Sequence, residues 1–300
     1  MANMSTTELV RKIHDAPRQF VLAVTGGGSR AISSLLELPG ASRTVLEAIV
    51  PYSSAALVDW LGAAPEHFCD DRTARAMAMA AYQRALQLLT RSSDNAALHS
   101  AAGVACTASL ASDRPKRGAH RLHLALQTES HTVVQSLELV KGPRSRPEEE
   151  RVAEAAILNL IADACGLTER IETALAPEER ILERRAEAPP AWQELLAGRI
   201  ACTGARGKAG PTTDAAAIRP RRAIFAGAFN PRHEGHRRMA QLAAQQLSLP
   251  VEFEISVLNV DKPPLDFLEM EDRAEQFDET ETLWFTRAAT FIEKSAIFAP

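Results

Sequence analysis

The chain has 300 residues, 46% of them hydrophobic and 24% charged, with a net charge of −4. That length can bury two domain cores, and no stretch is apolar for long enough to span a membrane. The mildly acidic balance supplies no general basic face for nucleic acid, and the chain does not open on a basic segment followed by an apolar run, so a cytoplasmic protein without membrane or nucleic-acid partners is expected.

In chain order, Phe20 to Val24 reads as a short buried strand, Arg30 to Leu38 as a helix and Thr44 to Val50 as a strand. Arg72 to Leu89 follows as a long Ala/Met/Leu helix and Gly103 to Leu110 as a further strand. Arg121 to Thr128 and Thr132 to Leu139 alternate apolar and polar residues and lie close enough for a hairpin. Pro147 to Cys165 reads as a closing helix, with proline and three glutamates at its start as the helix dipole prefers. Such alternation makes a sheet covered by helices, a layered α/β domain over residues 1–166.

From Leu167 to Leu196 the composition is charged and helix-favouring, and from Gly198 to Pro220 it turns to Gly, Ala, Thr and Pro with little periodicity. Residues 167–220 are therefore expected to be a helical segment and a flexible linker. Beyond it, Ala223 to Ala226 is a strand and Glu234 to Leu249 a helix, with Met239, Leu242, Ala243 and Leu247 spaced as a buried stripe. Val251 to Val257 returns as a second strand at the distance of a parallel crossover. Residues 221–300 thus read as a second, Rossmann-like α/β domain. Cys69, Cys106, Cys165 and Cys202 lack the close pairs of a zinc or redox site and are expected to be buried thiols. His14, His67, His99, His120, His123 and His131 show no ligand spacing and read as surface or strand residues, so no metal site is expected. The basic run Arg114-Pro-Lys-Arg117 reads as a loop.

The most informative run is Arg222-Ala-Ile-Phe-Ala-Gly-Ala-Phe-Asn-Pro-Arg-His-Glu-Gly-His236. It puts two histidines at the start of a helix, at the carboxyl end of a parallel strand, where open α/β sheets bind ligands. Unpaired amides of a first helical turn attract anions, and His233 and His236, three apart, can reach the same oxygens. Gly227 is placed where a nucleotide would approach the backbone. The run resembles the HxGH signature of the nucleotidylyltransferase superfamily, and its leader is most similar to nicotinamide or nicotinate mononucleotide adenylyltransferases. The resemblance implies in-line attack of a mononucleotide phosphate on the α-phosphate of ATP, with Mg2+ neutralising the remaining charge. It makes His233 and His236 the catalytic pair and Gly227, Phe229, Asn230 and Gly235 nucleotide-binding positions. Downstream, Asn259-Val-Asp-Lys-Pro-Pro264 resembles the basic loop that contacts phosphates, with Lys262 as candidate, or is a solvated turn. Glu269-Met-Glu-Asp-Arg273 resembles the helix whose arginine closes that region, with Arg273 as nucleotide-binding candidate or salt-bridge residue. The late strands and arginine-bearing helix start of that family have no counterpart between Phe285 and Pro300.

The first domain carries a second resemblance. Ala23-Val-Thr-Gly-Gly-Gly-Ser29, Leu38-Pro-Gly-Ala-Ser42, Pro51-Tyr-Ser-Ser54, the Thr73-Ala-Arg-Ala-Met-Ala helix and Gly103-Val-Ala-Cys-Thr-Ala108 are similar to the CinA C-terminal domain. Enzymatic members of that family are nicotinamide mononucleotide deamidases that use a serine nucleophile with a tyrosine and a lysine. Carried onto this chain, those positions are Thr25, Tyr52 and Leu57, so the lysine is replaced. Gly26, Gly27 and Gly28 would complete the pocket, either as an anion-binding nest of backbone amides or as a plain tight turn. That family also implies self-association through the first domain. Together the resemblances lead to an expected transfer of AMP from ATP to a pyridine mononucleotide, with a non-catalytic nucleotide-binding or scaffolding protein as the alternative.

Overall fold

The computed structural model describes residues 4–91, 95–113, 117–206, 209–212, 221–258 and 262–298. The chain divides into two compact units, Met1–Arg185 and Ala186–Pro300. Both are mixed α/β. Among the described residues no helix is long and apolar enough to cross a membrane.

The first unit is built on a sheet of order β2-β1-β3-β4-β5-β6. Its strands are β1 (Gln19–Thr25), β2 (Val45–Ile49), β3 (Ala101–Ser109), β4 (His120–Thr128), β5 (His131–Leu139) and β6 (Leu182–Glu187). β2 and β3 run parallel to β1, and the β4–β5 hairpin continues antiparallel from β3. One sheet face is covered by α1 (Thr6–Asp15), α2 (Ser29–Glu37) and α5 (Arg146–Ala164), whose Leu9, Ile13, Leu35 and Ile157 join Phe20, Leu22, Val24, Leu122 and Leu124 in one core. The other face carries the long α4 (Asp71–Arg91), preceded by the short α3 (Ser54–Leu61). α1 starts on a capping box in which Ser5 and Glu8 satisfy each other's backbone N–H. Neither α1 nor α3 was legible as a periodic run. The expected strands and helices over 20–165 are present with ends shifted by one or two residues.

Three sequence expectations are corrected here. His14 is buried, not superficial: its Nδ1 lies 2.8 Å from Thr44 Oγ1 and its Nε2 2.9 Å from Leu35 O, so both ring nitrogens are satisfied. Of the cysteines only Cys106 is fully buried; Cys69, Cys165 and Cys202 are half-buried. Burial still pushes every one of these thiols up, Cys165 to about 12, so all four stay protonated near neutrality. The stretch 167–220 is neither helical throughout nor a linker throughout, for it contains β6, α6 (Pro190–Ala197), β7 (Cys202–Arg206) and β8 (Ala209–Thr212).

The second unit is a sheet of order β8-β7-β11-β10-β9, with β9 (Ala223–Ala226), β10 (Val251–Ser256) and β11 (Thr282–Thr286) mutually parallel and β7 antiparallel to β11. Its helices are α6, α7 (Glu234–Leu247), α8 (Phe267–Ala274) and α9 (Phe291–Phe298). The small residues that suggested a linker serve packing instead. A methyl group at Gly204 would stand 2.7 Å from the Trp284 ring, so the indole lies flat over β7 only because that position has no side chain. α6 buries Trp192 and Leu195, and its last carbonyls, those of Leu195 and Leu196, accept from Arg287, a cation at the negative end of the helix dipole. The expected buried stripe of α7 is also corrected: Met239, Leu242 and Leu247 are 52%, 46% and 56% exposed. β9 pairs only with β10 among the described residues, so the flank of α7 beyond that edge has no sheet to rest on. The run 114–116, part of the expected basic loop, and 213–220, the end of the expected linker, lie outside the described residues.

Candidate functional site

In the second unit the chain leaves β9 through Gly227 and enters α7 at His233, its N-cap. The intervening loop is held from several sides. Phe229 has a φ of 46° and is 1% exposed, its ring meeting Phe225, Phe253, Phe277 and His236 edge-on at 5.1–5.5 Å. A methyl group at Gly227 would stand 2.8 Å from the tip of that ring. Phe229 and Gly227 therefore form a packing pair. The Phe229 ring is thus committed to packing within the loop.

Arg232 was missed in the sequence and organises the loop. Its guanidinium is 2% exposed, makes a bidentate pair with Glu281 and lies 4.7 Å and 4.5 Å from the ring centres of Phe253 and Phe277. Burial opposes ionisation of Glu281, but the bonds from Arg232 and from the Asp278 amide outweigh it and hold the carboxyl below its ordinary range. Gln276 bridges the same loop, accepting from Arg232 N at 2.6 Å and donating to Phe229 O at 3.2 Å. The only sequence signal for Arg232 was its place between Pro231 and His233.

Of the candidate polar residues, Asn230 donates to Glu269 Oε1 at 3.1 Å. Arg273 donates to Ala228 O at 3.0 Å and to Glu269, so it braces the loop. Lys262 is exposed, next to residues 259–261, which lie outside the described residues.

The two histidines do converge. Their rings stack with centres 3.8 Å apart, and His233 N donates to His236 Nδ1 at 3.2 Å. Because Nδ1 accepts, the proton of the neutral His236 ring belongs on Nε2, leaving that N–H as a donor. Partial burial first, then the neighbouring His233 and Arg232, lower the pKa of His236, so the ring is neutral at physiological pH. Gly235 gives the stack room, since a methyl there would meet the His233 ring at 3.0 Å. The exposed first turn of α7 thus presents a neutral imidazole donor, a second imidazole and free helix amides at the carboxyl end of a parallel strand.

In the first unit the corresponding turn, β1 into α2, is built differently. Gly26 and Gly28 have φ of 73° and 92°, a backbone that side chains resist, and a methyl at Gly26 would stand 1.8 Å from Ala108 O. The Gly28 amide donates to Glu150 Oε2 at 2.8 Å, and Glu150 is paired in turn with Arg146, whose Nη2 donates to Gly26 O. A carboxylate of the chain itself takes the Gly28 amide of the turn in which Gly26, Gly27 and Gly28 were expected to form a nest or a plain tight turn. Beside it, the fully buried Glu149 accepts from Ala111 N and sits 2.7 Å from His120 Nδ1. The glutamates at the start of α5 were legible as dipole partners, not as ligands of two loops. Thr25 is 8% exposed and its hydroxyl donates to Pro51 O at 2.9 Å. Tyr52 is 67% exposed and Leu57 is buried, so no amine stands at the position expected for a base.

No family model matches the chain, and no curated protein does. Among solved structures it is similar to the competence/damage inducible protein CihA from Agrobacterium tumefaciens, at 21% identity and a TM-score of 0.38, over 54% of this chain and 99% of that one. A competence or damage-inducible protein from Enterobacter asburiae matches at 15% identity and a TM-score of 0.39, over 55% of this chain and 98% of that one. A competence-damaged protein (CinA) superfamily protein from Enterobacter cloacae gives 17% and 0.38, over 55% and 97%.

Proposed function

We propose that the second unit is a nucleotidyl-transfer module that binds the phosphates of ATP at the His233–His236 turn and passes AMP to a mononucleotide, a pyridine mononucleotide by the resemblance of the motif. The observation that carries this is the stacked pair at the mouth of α7, with His236 Nδ1 fixed by the His233 amide. Chemistry of this kind needs no covalent intermediate, because the acceptor phosphate displaces pyrophosphate directly. What it needs is donors aimed at charge that grows on the bridging and non-bridging oxygens. A neutral N–H donor, a second imidazole and the first-turn amides fit that demand. Magnesium would arrive with the triphosphate and screen its β- and γ-oxygens. The test is pyrophosphate release from ATP and magnesium with nicotinamide or nicotinate mononucleotide as acceptor, compared with a His233→Ala/His236→Ala variant. Release that requires the acceptor and vanishes in the variant supports the transfer; equal release from both overturns it.

A second reading, binding without turnover, is favoured by one observation. β9 has a parallel neighbour on one side only among the described residues, so the crevice between diverging strands at which such sheets hold ligands is walled on one side. It predicts saturable ATP binding with no pyrophosphate release. For the first unit we infer no turnover, because Thr25 lacks a base and its hydroxyl is committed to Pro51 O.

A further inference from the structure

A groove of about 700 Å³ opens on the first unit between the start of α1, α2, α5 and residues 171–174. Its volume lies within the range of small-molecule sites, roughly 300–1,000 Å³. Val152, Ala155 and Ile171 form an apolar floor, while Arg30 and Arg151 stand on the helices that flank it.

Arg30, Arg144 and Arg151 line the groove together with Glu148, Glu154 and Glu172, and some of its hydrogen-bond donors have no partner among the described residues. Arg30 donates only through Nε, to Glu154 at 2.9 Å, which leaves both terminal nitrogens without a protein partner among the described residues. Ser34 also donates to Glu154, through the other carboxylate oxygen, which helps hold the group that orients Arg30. Arg151 has no hydrogen bond among the described residues, and its charge acts on Glu148. One oxygen of Glu148 is itself spent on the Ser145 amide and hydroxyl. At the end formed by α1, the Thr6 and Thr7 amides are the first two of the helix and have no hydrogen-bond partner among the described residues, Ser5 having capped Glu8 N. Glu172 belongs to the separate segment 171–174, not to the helices bearing the arginines.

Two guanidinium groups and a helix start with unspent N–H donors, set over an apolar floor, match one ligand chemistry. We propose that this groove binds a small organic anion, a carboxylate or phosphate monoester carrying an apolar body, with the anion between Arg30, Arg151 and the α1 amides and the body on Val152 and Ala155. This site is independent of the His233–His236 turn.

The test uses the full chain and three probes by calorimetry: benzoate, phenyl phosphate and inorganic phosphate. Saturable binding of benzoate or phenyl phosphate is expected, with whichever anion the groove prefers binding more tightly, and weaker binding of inorganic phosphate, which lacks the body. Arg151→Gln removes a side chain without a hydrogen-bonded partner, so the fold and Tm are expected to hold while affinity falls about tenfold, the worth of one charge-assisted bond. Arg30→Gln is expected to act the same way. A His233→Ala/His236→Ala variant is expected to bind these probes as the wild type does, which separates this site from the transferase reading. No saturable binding by the wild type, unchanged affinity in Arg151→Gln, or loss of binding in the histidine variant would each overturn the proposal.

Discussion

The turns β1–α2 and β9–α7 are two versions of the same device, a strand running through glycine into a helix start, and they reach opposite ends. In the first, the amide at the helix start is closed by Glu150, a carboxylate locked to Arg146, and the glycines exist so that backbone and core can meet. In the second, no carboxylate accepts from the first-turn amides of α7 among the described residues, although Glu234 lies in that turn, and the loop is braced from behind by Arg232, Gln276 and Arg273. A glycine-rich turn is therefore a site only where the protein leaves its donors unspent.

Four measurements can break or sharpen that contrast. The largest effect is expected from Gly26→Ala, whose new methyl meets Ala108 O in a left-handed backbone: a loss of about 3 kcal/mol or more in chemical denaturation. Gly235→Ala, in the open turn, is expected to stay within about 1 kcal/mol of wild type, since helix propensity offsets the tight approach to His233. Equal losses at both would erase the distinction. His236→Ala should lower turnover about 10²–10³-fold while changing ATP affinity far less, because the bond strengthens as charge develops.

Smaller again, Glu150→Ala should cost about 2 kcal/mol, the range of a hydrogen bond to a charged group. It should also uncover the Gly28 amide, so that phosphate titrated into the variant, but not the wild type, shifts that amide's resonance. The smallest effect concerns pH. His236 is held below the ordinary histidine value, about 6.5, so the folded chain binds fewer protons there than the unfolded chain. Its contribution to stability is in place above that value and is lost as pH falls through the lower folded one, when a proton on Nδ1 ejects the His233 amide. An imidazole titration by NMR should find His236 below the ordinary histidine value; a midpoint at or above that value would contradict the assigned tautomer.

Much of the first unit could be read from periodicity, because strands such as Phe20 to Val24 and helices such as Arg72 to Leu89 follow the burial they end in. The short α1 and α3 escaped it, and so did β7, where Gly204 reads as linker until Trp284 is seen to lie on it. The exposed flank of α7 could not be foreseen, for a helix stripe records apolarity and not whether a strand is there to cover it. At the site the histidine pair was legible from its spacing. Arg232 and Glu150 were not, since each acts on a loop far from it in sequence or from inside the motif, where only the folded contacts reveal the role.

The approach of Phe229 to Gly227 has one more use. One α-hydrogen of Gly227 points at the rim of an aromatic ring while its twin does not, so the two are magnetically inequivalent by an amount set by the ring current. That pair of resonances is a native label beside the histidine turn. It would stay split while nucleotides bind to an intact loop and collapse if the loop let go of its aromatic plug, reporting on the scaffold without an added dye or substitution.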